Sequence, residues 1–118
     1  MKNFTYTIDL KKLLLLNLIA FSLLSVTTAS NAAETYITGH VTMIDATWMP
    51  AQFSFLLDSG DSVCPLTTWV KWASSDFSNN KAVYATLVTA LVSGKKVDFH
   101  HDDADTSCKG SHLILRND

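Results

Sequence analysis

Apolar and polar side chains alternate along TYITGHVTMI, residues 35–44, with Ile37, Val41 and Met43 on one side and Tyr36, Thr38, His40 and Thr42 on the other. A period of two predicts a strand with one buried face. Gly39 within it predicts a bend or bulge. Pro50 breaks the pattern, and QFSFLLD (52–58) resumes it, with Phe53, Phe55 and Leu57 inward and Gln52 and Ser54 outward. DSGD (58–61) is a turn. TTWVKW (67–72) predicts a third strand, KVDFHH (96–101) a fourth with Val97 and Phe99 buried, and SHLILR (111–116) a fifth.

Between the third and fourth strands the period changes. Val83, Leu87 and Leu91 recur every four residues, and Tyr84, Val88 and Ala90 widen the stripe. This predicts a helix from about Asn79 to Val92, capped by Ser78 or Asn80. Gly94 stands where a left-handed residue ends a helix, and Lys95 and Lys96 complement the helix dipole. The chain is therefore expected to be mainly β with one helix, in the order β-β-β-α-β-β. That is the order of an OB-fold, a five-stranded Greek-key barrel. A helix resting on an open five-stranded sheet has the same order, and periodicity does not separate the two.

The start of the chain reads differently. Lys11 and Lys12 precede an apolar run from Leu13 to Val26, followed by small residues at Ser30 and Ala32. A basic start, an apolar stretch and a small-residue cut site predict a secretory signal peptide over residues 1–32, cleaved near Ala32. The apolar run is short for a membrane span. The domain is then residues 33–118, secreted or periplasmic. It holds six Lys or Arg against ten Asp or Glu. An acidic balance disfavours nucleic acid or an anionic membrane surface as partner. Both cysteines, Cys64 and Cys108, fall in the exported part, where an even pair in a small domain predicts a disulfide.

The HHDDAD segment, His100–Asp105, with His112 nearby, invites a metal reading. However, His100 and His101 are adjacent on a strand and point to opposite faces, so they cannot share one ion. Asp103, Asp105 and Ser107 lack the glycine and closing glutamate of a calcium loop. The segment is expected to be a solvated turn with strand-end histidines, with no metal and no cofactor. No nucleophile, base and orienting group stand in a recognisable catalytic setting, so no enzymatic activity is expected. The tryptophans carry more information. Trp69 and Trp72 fall on opposite faces of the third strand, and Trp48 lies in a loop beside Pro50. Amphipathic rings left at a surface favour subunit contacts or a stacked sugar.

The stretch WASSDFSNNKAVYATLVTALVSGKKVDF resembles the central segment of the binding subunits of subtilase-cytotoxin and typhoid-toxin type. The matching positions are Trp72, Ser75, Phe77, Ala82, Tyr84, Leu87, Ala90, Gly94 and Val97. The likeness covers about a third of residues 33–118 and consists mostly of spacing. It implies an exported OB-fold that assembles as a ring-shaped pentamer, binds cell-surface glycans and carries a separate enzymatic subunit. The cysteine framework of that family has no obvious counterpart here. Ser54, with Gln52 and Trp48 as neighbours, is the candidate glycan site. The alternative is a stand-alone exported OB-fold module that binds a protein or small ligand.

Overall fold

In the computed structural model, which describes Ala29 and residues 31–118, β1 (Glu34–Asp45) is long enough to serve two neighbours. The expected leader therefore lies almost entirely outside the described residues. The first half of β1 pairs antiparallel with β4 (Lys96–Asp102), from Glu34 opposite Asp102 to His40 opposite Lys96. Its second half pairs antiparallel with β2 (Gln52–Leu57). The register shifts between Val41 and Met43, and this single shift reverses the faces beyond it. Met43, expected inward, is 55% exposed, and Ile44 packs against the core instead. The bulge thus comes just after Gly39 rather than at it. Gly39 instead lies under the following turn, where an added Cβ would stand 2.8 Å from Asp58 Oδ1.

β2 pairs on its far side with β3 (Val70–Ala73), and β4 with β5 (Gly110–Leu115), both antiparallel. The sheet order is β3-β2-β1-β4-β5. β3 starts later than expected, because residues 67–69 belong to the preceding loop, where Thr67 has a φ of 76°. The two edges of the sheet meet at one point: the Lys71 amide donates to the Cys108 carbonyl at 2.9 Å, within a parallel bridge between Lys71 and Lys109. A curved, mainly antiparallel sheet whose outer strands touch encloses its inner face.

That inner face holds the core. Phe53, Phe55, Leu57, Val97 and Phe99 are buried as the alternation predicts, together with Ile37, Val41, Val70 and Trp72. Phe55 and Phe99 meet edge to face with centroids 5.4 Å apart, and Phe53 meets Tyr84 in the same way at 5.7 Å. Gly110 lets β5 approach, since a Cβ there would stand 2.9 Å from the Trp72 ring.

The helix, α1 (Phe77–Ser93), lies between β3 and β4 in the chain. Asp76, not Ser78 or Asn80, caps it, its carboxylate accepting from the Ser78 and Asn79 amides. Asn80 is buried inside the first turn. Its Nδ2 faces the carbonyl oxygens of Pro50, Ala51 and Ser74 at 2.8–3.1 Å, which ties the helix start to the β1–β2 and β3–α1 connections. The fully buried positions are Asn80, Leu87 and Ala90, flanked by Val83 and Tyr84. Leu91, expected in the stripe, is 41% exposed. Its direction around the helix falls between those of Asn80 and Tyr84, so its exposure belongs to its place in the last turn before Gly94 and not to the wrong face. Gly94 ends the helix with φ 69°, as expected. Lys95 turns its ammonium to the Asn117 carbonyl, 3.0 Å away.

Cys64 and Cys108 form the expected disulfide, with Cα atoms 5.8 Å apart. It joins the β2–β3 loop to the chain entering β5, close to the point where the sheet edges meet. Among the described residues no helix is long and apolar enough to cross a membrane.

Candidate ligand-binding face

The strands that bury Phe53 and Phe55 necessarily turn Gln52 and Ser54 outward. Gln52 is exposed and Ser54 half-buried. Register supplies the neighbours of Ser54: Asp45 stands opposite on β1 and Lys71 opposite on β3, both exposed on the same outer face. Asp45 and Lys71 were not legible as site residues, because neither the bulge in β1 nor the start of β3 is marked in the sequence. Asp45 is held below the usual carboxylate range by the Thr47 hydroxyl, 2.5 Å away, and by the Thr47 amide. The face therefore carries a carboxylate and an ammonium on either side of a hydroxyl. Among the described residues no ion pair engages Lys71.

Trp48 stands in the turn that leads into this face, with its side chain 66% exposed. The turn is tight: the Ala51 and Gln52 amides both donate to the Trp48 carbonyl, and the Met49–Pro50 peptide is cis. Asn80 grips the carbonyls of Pro50 and Ala51 from below. The backbone that presents Trp48 is thus tied to a buried side chain, while the ring itself is left to solvent. Gln52 and Ser54 lie together on β2, and Trp48 joins them through the backbone of the turn. Trp72 is in the core and Trp69 is 40% exposed, but Trp69 lies in the loop before β3 and not on the opposite face of the strand.

The HHDDAD segment departs from expectation at one residue. His100 faces out, stacked on Tyr36 with centroids 5.2 Å apart and meeting His112 edge-on at 6.0 Å. His101, expected as a strand-end histidine beside a solvated turn, is completely buried. The physical reason lies in the alternation of KVDFHH: Val97, Phe99 and His101 share the inner face, and His101 continues the series. Its Nε2 meets Asp61 Oδ2 at 2.7 Å, and its Nδ1 meets the Asp102 carbonyl at 3.0 Å. Asp61 Oδ1 also accepts from the Val63 and Cys64 amides. Burial pushes the Asp61 carboxyl upward, but the Cys64 amide, the His101 ring and the Val63 amide outweigh it and hold the group below its ordinary range.

Asp61, Cys64 and His101 have side-chain atoms close enough to suggest a cation site. Cys64 spends its sulfur on Cys108, so it offers no thiolate. It also approaches Nδ1 of the ring while Asp61 faces Nε2. One ion cannot use both sides of the imidazole. The cluster fastens the β2–β3 loop to β4.

Comparison with protein-family models, with curated proteins and with solved structures finds no match to this chain.

Proposed function

We propose that this chain is the exported, glycan-binding subunit of a multi-subunit bacterial toxin, built on an OB-fold and assembled as a homopentamer with a separate enzymatic subunit. The carrying observation is the sheet order with its closing contact. β1 pairs with both β2 and β4, and β3 meets the start of β5 through the parallel Lys71–Lys109 bridge, with α1 inserted between β3 and β4. This arrangement fits a five-stranded, partly open Greek-key barrel. It supports the resemblance seen around Trp72–Phe99, which implies the same barrel. The disulfide fits an oxidising destination after export.

The glycan reading draws on the outer face of β2. Sugar recognition combines a flat ring for the C–H face with convergent polar groups for the hydroxyls. Trp48 supplies the ring, Gln52 and Ser54 supply polar groups, and Lys71 beside Ser54 offers a cation to an acidic sugar. Catalysis has no part in this reading, and neither does a cofactor.

Exposed apolar side chains on other elements, Val92 on α1 at 82% and Ile114 on β5 at 50%, favour subunit contacts. The oligomeric mass of the exported protein tests the assembly. Five copies are expected. A monomer at all accessible concentrations would overturn the toxin reading and favour a stand-alone envelope module of the same fold.

A further inference from the structure

The acidic end of HHDDAD has no role in the glycan face, yet it lies against the start of the domain. The Ala33 amide donates to Asp103 Oδ1 at 3.0 Å, and the Asp103 amide returns a bond to the Ala33 carbonyl, also at 3.0 Å. Asn31, Ala32 and Ala33 are exposed and outside any regular element, and β1 begins at the next residue. A small open pocket of about 150 Å³ lies here, lined by Ala32, Glu34, Asp102 and Ser111. Glu34 Oε1 accepts from Ser111 and the His112 ring, and Asp102 Oδ1 from the Ala104 amide. The second oxygen of each carboxylate has no protein donor among the described residues.

We propose that the Ala32–Ala33 bond is cut during export and that Asp103 is the built-in receptor for the α-ammonium this releases. The proposal rests on the export part of the function above. In the cut, water hydrolyses the amide under an export peptidase. Ala32 leaves with a new carboxylate, and the Ala33 nitrogen takes up protons and becomes an ammonium. That nitrogen already stands at hydrogen-bond distance from Asp103. Processing therefore converts a neutral hydrogen bond into an ion pair without moving the backbone. The charged groups nearby are Glu34 on β1, Asp102 at the end of β4, Asp103 in the turn after it, and His112 on β5, bonded to Glu34. Asp103 is the paired carboxylate, and removing Ala32 opens the hollow beside it that Glu34 and Asp102 line. The latch pins the first residue of the domain to the turn between β4 and β5, where an untied terminus would fray.

The latch has a definite pH sign. An α-amino group titrates near pH 7.7–8.0 when free, about as in model peptides. Gaining a partner raises that value in the folded state. The contribution is complete below about pH 7.7 and is lost as pH rises through the folded value.

The test uses the full chain, expressed with its leader and recovered after export. Intact mass and N-terminal sequencing should show Ala33 as the first residue. Thermal melts at about pH 6.5 and about pH 9.5 then compare the parent, Asp103→Asn, and parent acetylated at the α-amine alone, which keeps an N–H but loses the charge. Each change should lower the melting temperature by about 1–5 °C at the lower pH, as suits an exposed pair in a small domain. Combining them should add little, and the differences should shrink at the higher pH. A cut at another bond, or melts that coincide at about pH 6.5, would overturn the latch while leaving export intact. A retained leader would overturn export itself. If Asp103→Asn does not fold, the acetylated parent decides.

Discussion

Asp61 and His101 are 40 positions apart in the chain, yet Asp61 Oδ2 stands 2.7 Å from His101 Nε2, and the ring is wholly enclosed. The pair holds the β2–β3 loop down onto β4, next to the disulfide. Removing the carboxylate leaves one side of a buried imidazole, and two loop amides, without their acceptor.

Asp61→Ala is therefore expected to destabilise the fold by about 3 kcal/mol near neutral pH. The sign of the pH effect follows from the lowered carboxyl. Its stabilisation is fully present above the unfolded value of about 3.9 and is lost as pH falls through the folded value. Urea titrations from about pH 7 down to about pH 2.5 should show the parent losing its advantage over the variant in the acid range. A constant gap between the two across that range would contradict the assignment.

The disulfide closes a loop with a sequence separation of 44. A loop of that size contributes about 4 kcal/mol on the chain-entropy model. Replacing both Cys64 and Cys108 by serine should remove most of that stabilisation in a denaturant titration. Unreduced mass spectrometry of the exported protein should show the chain two hydrogens lighter than the dithiol, with one bond counted.

Asn80 supports the turn that presents Trp48. Its amide nitrogen faces three carbonyls, and its Oδ1 has no partner among the described residues. Asn80→Ala should cost about 2–3 kcal/mol, from unsatisfied carbonyls and lost packing. Asn80→Asp should cost more, because a carboxylate would face the same three acceptors. Equal stability of the two variants in thermal melts would show that the carbonyls have other donors.

Much of this architecture is written in local periodicity. The faces of Phe53, Phe55, Leu57, Val97 and Phe99 follow from alternation alone, and Gly94 marks the helix end. The failures share a cause, which is information held outside the local pattern. Met43 changes face because of a register shift that only pairing with β2 reveals. Asp76 outcompetes Ser78 and Asn80 as cap because the helix begins two residues before the expected start, at Phe77. His101 was legible in principle, since it continues the Val97–Phe99 face, but polar identity concealed it. At the candidate face, alternation places Gln52 and Ser54, and only strand pairing adds Asp45 and Lys71.

Carbohydrate binding by the outer face of β2 is tested most directly on a glycan array, with the exported, assembled protein and its Trp48→Ala and Ser54→Ala variants. Both side chains lie outside the core, so thermal stability should change little. A single polar contact contributes about 0.5–1.5 kcal/mol, and a multivalent ring amplifies the loss of one at every site. The parent should bind a defined set of glycans, and both variants should lose most of that signal. Variants that bind like the parent would contradict this site, and a parent that binds no glycan would contradict the function.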